Sequence, residues 1–104
     1  MVVSAGPAVT NTLTGVLVAR DNGWPVIVMG GRRPLDQDGI GYFQELDAVP
    51  IFRSVTKWAV KVEQTSEIIS SVIKAFEIAC SVSIFHKKTS NYPGQKALIT
   101  GEYT

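Results

Sequence analysis

Cysteine and histidine are nearly missing from this chain: 104 residues hold one of each, Cys80 and His86. A single cysteine excludes an intramolecular disulfide and any cysteine-rich zinc site. A single histidine, set beside Lys87 and Lys88 with no partner in view, reads as a surface residue rather than a ligand or base. No apolar run approaches the roughly 18 residues of a membrane span, and no basic, apolar, small-residue signal segment opens the chain. An excess of one charge sign is lacking too. The net charge is +1 with no basic block, which removes the electrostatic case for nucleic acid. The expectation is a soluble, cytoplasmic protein with neither a nucleic-acid nor a membrane partner.

What is present is core-forming material. Hydrophobic residues make up 45% of the chain and charged residues 18%, which rules out wholesale disorder. The length allows one small domain or a piece of a larger one. At this size only about 60–65% of the unfolded chain's surface is buried on folding, so the stability margin is thin.

Apolar Met1–Ser4, broken by Ala5-Gly6-Pro7-Ala8, reads as the end of a buried strand and a turn. Val9, Leu13, Val16 and Leu17 recur at steps of three and four and predict a helix over 9–22, stopped by Gly23 and Pro25. Gly15 inside it predicts the close approach of a neighbouring backbone. Pro25–Met29 is a continuous apolar run, as in a central parallel strand covered on both faces, closed by Gly30-Gly31. Residues 32–41 read as a loop, and 42–49 as a short helical segment ending before Pro50. Over 55–62 the pattern alternates: Thr56, Trp58, Val60 and Val62 point one way, Lys57, Ala59 and Lys61 the other, on a wetter face. Thr65 reads as the cap of the best helix, with Ile68, Ile69, Val72, Ile73, Phe76 and Cys80 as its buried stripe. On that stripe Cys80 is an inert core thiol. After Ser81 the chain turns polar, and Ala97-Leu98-Ile99 is too short to supply a convincing return strand. The alternation of strands and helices predicts an α/β class with a parallel sheet flanked by helices.

Three segments merit chemical scrutiny. Gly6–Asn11 is a strand-to-helix turn at the sheet end where α/β proteins bind ligands; an ordinary turn is the blander alternative. Phe43-Gln44-Glu45 places a neutral amide beside an aromatic ring and could orient a substrate carbonyl, against a plain surface turn. Gly30-Gly31-Arg32-Arg33 could cradle an anion, although an ordinary turn with solvated arginines is favoured. The spacing Asp36-x-Asp38 fails as a calcium loop, because its fifth position is Ile40. No metal ligands are assigned.

Taken in order, these segments resemble a known family. Gly6-Pro7-Ala8-Val9-Thr10-Asn11, with Gly15 later in the helix, resembles the Gly-Pro-Gly-x-Thr-Asn segment of thiamine-diphosphate enzymes. The nearest group is that of acetolactate synthase, oxalyl-CoA decarboxylase and 2-hydroxyacyl-CoA lyase. Trp24–Gly31 resembles the next strand of their pyrimidine-binding domain. Gly41–Asp47 is similar to its Phe-Gln-Glu segment, Ser54–Trp58 to its Thr-Lys strand, and Thr65–Ser81 to its following helix. The resemblance runs from about Val2 to Ser81. It implies a partial pyrimidine-binding domain over residues 1–81 and a divergent tail, of which a frame change is one source, over 82–104.

The resemblance implies a lyase or carboligase acting on 2-keto acids or on 2-hydroxyacyl or oxalyl thioesters, with thiamine diphosphate as cofactor. It implies that Gly6, Pro7 and Asn11 lie at the cofactor's pyrimidine end. Gln44 then faces the reacting carbon, Phe43 packs beside it, and Glu45 is structural. Ala8 departs from the family's glycine. The activating glutamate falls upstream of the Gly-Pro segment and is not within this sequence. Mg²⁺ is expected only through a diphosphate-binding domain whose Gly-Asp-Gly motif the sequence lacks, and FAD in a parent enzyme stays open. A homo-oligomer, dimer or tetramer, is implied for the parent, with the chain alone inactive. The alternative is a non-catalytic α/β interaction module that kept the fold and lost the chemistry.

Overall fold

The computed structural model describes residues 1–32, 39–41 and 43–81, and the backbone of 96–102. The readings made for 33–38, for His86 and for the rest of the tail fall outside these residues. The order of elements is β1 (Val2–Val3), α1 (Pro7–Thr10), α2 (Leu13–Asp21), β2 (Val26–Arg32), α3 (Ala48–Arg53), β3 (Trp58–Lys61), a 3₁₀ turn (Thr65–Glu67), α4 (Ile68–Cys80) and β4 (Lys96–Glu102). The strands form one sheet in the order β1-β2-β4-β3, and every pairing is parallel. This is the expected α/β class.

Two apolar clusters show the layering. Val9, Val16, Val28, Ala48 and Phe52 pack together with Val26 and Ala59 at their edge. Val62 and Ala75 form the other cluster with Ile27, Met29, Trp58, Val60 and Val72. Side chains alternate across a strand, so β2 sends Val26 and Val28 to one face and Ile27 and Met29 to the other. Helices α1, α2 and α3 therefore cover one face and α4 covers the opposite one. The strand order requires this arrangement. The connections β1→β2 and β2→β3 run in one direction across the sheet, and β3→β4 runs back. Right-handed crossovers place helices of opposite direction on opposite faces.

Several expectations are corrected. β1 is an edge strand, with Val2 70% exposed, held by Met29 N–H donating to the Met1 carbonyl at 2.8 Å. The expected single helix is split: Pro7–Thr10 is already helical, and the chain breaks at Asn11-Thr12, where Thr12 Oγ1 donates to the Val9 carbonyl at 2.7 Å. Nothing approaches Gly15 within 4 Å of where a Cβ would stand. β2 runs on through Gly30 and Gly31 to Arg32, because β4 continues the ladder to that residue while β1 pairs only as far as Gly30. Pro50 lies inside α3, not beyond it. It occupies the first turn, where a missing N–H breaks no helical bond, and Asp47 caps that turn by accepting from Val49 N–H at 3.3 Å.

The return strand judged absent is present as β4, which pairs with β2 along its whole length and with β3 over Trp58–Lys61. Two parallel strands one position apart leave a slot lined on both sides by unpaired backbone groups. A strand placed there gains a ladder on each edge, so a short apolar run is enough. α4 is rotated from its expected setting. Ala75 and Ala79 are buried, whereas Ile69, Ile73 and Phe76 are 74%, 55% and 57% exposed, and Cys80 is exposed rather than a core thiol. Thr65 does not cap it; a 3₁₀ turn precedes it. Small residues let the helix axis lie close to the sheet, and Lys74 Nζ reaches over the Trp58 ring at 5.1 Å from its centroid. No helix among the described residues is long and apolar enough to cross a membrane.

Candidate functional site

A cavity of about 200 Å³ opens at the carboxyl ends of the strands. This is the end of a parallel sheet where loops leave room for a ligand. Its wall brings together the turn after β1 (Gly6), the end of β2 (Gly31, Arg32), the end of β3 (Lys61) and the segment Gln44–Ala48 that leads into α3.

Gly6 and Gln44 meet here although 38 positions separate them. Gly6 has φ 59° and ψ −117°, a conformation that side chains other than hydrogen rarely adopt. A Cβ on it would stand 2.8 Å from Gln44 Cβ and 3.0 Å from Gln44 Cα and O. The bare face of Gly6 is thus filled by residue 44. Gln44 itself has φ 63°, a left-handed setting costly for a residue with a Cβ. Pro7 directly follows the Gly6 turn as the first residue of α1, its missing N–H harmless there.

The loop that delivers Gln44 is tied by its neighbour. Glu45 Oε1 accepts from Gly39 N–H at 2.6 Å and Oε2 accepts from Gly41 N–H at 2.8 Å. One carboxylate thereby ties Gly39 and Gly41 to Glu45 through two charge-assisted bonds. The expected structural role of Glu45 has this geometry behind it.

Of the residues singled out in the sequence, Gly6 and Gln44 line the cavity. Pro7, Asn11 and Phe43 do not. Asn11 ends α1, its N–H donating to the Pro7 carbonyl at 3.0 Å, and is exposed. Phe43 is 86% exposed at the loop tip. Arg32 and Lys61 line the cavity without having been assigned to it. Strand parity held the signal: Lys61 is two residues beyond Ala59 and Arg32 four beyond Val28, with Gly30 between them in the same row. Reading Gly30-Gly31 as the strand's end concealed it. Among the described residues no group of three or more His, Cys, Asp or Glu side chains could hold a metal ion.

Comparison with known proteins agrees with the resemblance. Residues 1–51 match the family described as thiamine pyrophosphate enzyme, N-terminal TPP binding domain. The mitochondrial acetolactate synthase catalytic subunit of Saccharomyces cerevisiae is 41% identical over 81 residues, covering 78% of this chain and 12% of that protein. The acetolactate synthase isozyme 3 large subunit of Escherichia coli is 37% identical over 81 residues, covering 78% of this chain and 14% of the relative. 2-Hydroxyacyl-CoA lyase 2 of Caenorhabditis elegans is 35% identical over 86 residues, with 80% and 13% covered. The chain spans between 12% and 14% of the length of these relatives.

Proposed function

The chain belongs to the thiamine pyrophosphate enzymes through part of their N-terminal TPP binding domain, and we propose that it supplies the half-site for the aminopyrimidine end of thiamine diphosphate. The parent activity is a C–C bond lyase or carboligase resembling acetolactate synthase, on 2-keto acids or on 2-hydroxyacyl or oxalyl thioesters. Residues 1–81 serve as the partial domain, with 82–104 a divergent tail whose residues 96–102 nonetheless complete the sheet.

The observation that carries this reading is the meeting of Gly6 and Gln44 on one cavity wall at the strand ends. The Gln44 amide offers both a donor and an acceptor to a ring edge or a carbonyl. Gly6 lies on the cofactor side, Pro7 and Asn11 follow it in α1 and at its end, outside the cavity lining, and Phe43, exposed on the loop tip, waits for a surface to pack on. When bound, thiamine diphosphate supplies a carbanion that adds to a carbonyl and then accepts electrons from the breaking bond. About 200 Å³ falls short of the roughly 300–1,000 Å³ of a site that encloses a whole ligand. That shortfall supports a site completed by a second subunit of a homo-oligomer, which also brings the metal and diphosphate ligands. The isolated chain is then inactive.

The test is a titration of the chain with an aminopyrimidine, followed by amide ¹H–¹⁵N shifts. Shifts should centre on Gly6 and Gln44 and vanish in Gln44→Ala. Shifts scattered elsewhere, or micromolar binding of the whole cofactor by calorimetry without added subunits, would overturn the half-site. A second reading, a non-catalytic interaction module, draws on the apolar outer face of α4. A well-folded monomer that ignores aminopyrimidines would favour it.

A further inference from the structure

Helix α4 carries two apolar stripes, and only one of them meets the sheet. Ala75 and Ala79 are buried, and Val72 packs in the same cluster as Ala75. Ile69, Ile73 and Phe76 are largely exposed, and Cys80 is exposed with them. Neither apolar cluster of the fold includes any of these four. They follow one another at steps of four, three and four, the alternation that keeps a row of side chains on one seam between two packed helices. Successive residues turn by about 100°, which sets this seam roughly a third of a turn away from the Ala75–Ala79 line. The sheet that receives the alanines therefore does not reach it.

Area and symmetry point to what covers the seam. The exposed fractions of Ile69, Ile73 and Phe76 amount to nearly two whole side chains. At about 150–250 Å² for a large side chain, the seam offers about 300–450 Å², the size of patch that marks an interaction site. Two such seams facing each other bury about 600–900 Å². The exposed Cys80, Ser70 and Glu77 at their margins raise the total to about 1,000 Å², the area a specific interface needs. A two-fold axis makes one seam its own complement. Run antiparallel, Ile73 meets Phe76 of the second copy, and Cys80 meets Ile69. Opposed helix dipoles favour that direction over the parallel one. Glu77 then borders Ser70 of the second copy, so no like charges face each other.

We propose that α4 is a homodimerisation helix, two copies of the chain pairing antiparallel through Ile69, Ile73, Phe76 and Cys80. The seam lies across the sheet from the cluster that includes Val9 and Ala48 of the cavity wall. The pairing is thus a different contact from one that completes the cavity, and it holds whether or not the cavity receives an aminopyrimidine.

The experiment is sedimentation equilibrium of the whole chain, reduced and without any thiamine compound, from about 5 to 500 μM. A monomer–dimer equilibrium with Kd of about 1–100 μM is expected for an interface of this area. Ile73→Lys and Ile69→Lys should each raise Kd more than tenfold, while Val18→Lys, an equally exposed apolar position on α2, should leave it unchanged. Circular dichroism confirms that each variant is folded, and where one is not the other decides. Direction is read with Ile69→Cys under oxidised glutathione. The antiparallel pair links position 69 of one copy to Cys80 of the other; within one chain the two lie about 16 Å apart along the helix, too far for a disulfide. A chain that stays monomeric at 500 μM overturns the proposal and leaves the seam to a different polypeptide. Association that continues past the dimer, or that both lysine variants on α4 leave intact, overturns it too. Links of Cys80 to Cys80 in place of the mixed pair overturn the antiparallel arrangement.

Discussion

Replacing Gly6 by alanine tests the contact on which the site is built. Two costs add. The backbone setting of Gly6, φ 59° and ψ −117°, is one that an L-residue holds at about 1–3 kcal/mol. The new Cβ would also stand 2.8 Å from Gln44 Cβ, and relieving such an overlap in packed surroundings costs about 1–3 kcal/mol. The stiffer unfolded chain returns about 0.4–1 kcal/mol. The net loss is therefore about 2–5 kcal/mol, a large share of the roughly 5–15 kcal/mol that holds a domain of this size. Urea unfolding followed by Trp24 and Trp58 fluorescence reads it. With a slope of about 1–2 kcal/mol per molar for a small domain, the midpoint falls by more than about 1 M. A second variant separates the two costs. Gln44→Gly alone removes a Cβ from a left-handed residue and should be neutral or stabilising. Placed on Gly6→Ala it should recover about 1–2 kcal/mol, because the Cβ–Cβ overlap disappears. A Gly6→Ala protein within 0.5 kcal/mol of wild type, or a double mutant showing strict additivity, would refute the argument.

Gly15→Ala makes the opposite prediction: helical, with nothing within 4 Å of the added Cβ, it should stabilise by up to about 1 kcal/mol in the same assay. Glu45→Ala removes the acceptor for Gly39 and Gly41; it should cost about 1 kcal/mol at this exposed position and speed hydrogen exchange at those two amides, and unchanged exchange there would dismiss the loop closure. In α4, Ala75→Leu should cost about 1–3 kcal/mol because position 75 is fully buried against the sheet, whereas Ile73→Ala, 55% exposed, should cost less than about 1 kcal/mol; the reverse ranking would return the helix to the setting expected from its apolar stripe. Burial lowers the pKa of the Lys57 ammonium from 10.5, against a smaller opposing electrostatic contribution from nearby Cys80. The unfolded chain then keeps that proton to higher pH than the native one, so stability gains with rising pH in the window below 10.5. The wild type minus Lys57→Gln difference in unfolding free energy should slope upward across that window, and a flat difference would show no desolvation.

What the sequence made legible follows from the kind of signal each feature leaves. β2 was visible because Val26–Met29 is apolar on both faces, and the structure covers it on both. β3 was visible because its alternation is regular, and Trp58 and Val60 do part from Ala59 between the two clusters. The rotation of α4 was hidden because hydrophobicity reports that a side chain is apolar, not which face a sheet accepts. Ala75 and Ala79 won the inner position by being small. β4 was hidden for a related reason: its place is set by backbone groups left open on β2 and β3, and such demand leaves no trace in Lys96–Glu102 itself.

The site divides the same way. Gly6 and Gln44 could be paired only through resemblance, since no periodicity links residues that far apart. Their contact also changes what the glycine is for. The space where its side chain would be is taken up by residue 44, so the turn positions the glutamine, and any ligand meets Gly6 only beside it. Arg32 and Lys61, by contrast, were within reach of local reasoning. Once β2 is carried through its two glycines, parity alone puts both cations on the face of Val28 and Ala59. The general point is physical: a glycine pair ends a strand only when no neighbour offers a ladder on either side, and here β4 pairs through Gly30 and Gly31 to Arg32. The strand end carries the cavity's charge because the sheet extends beyond where the apolar run stops.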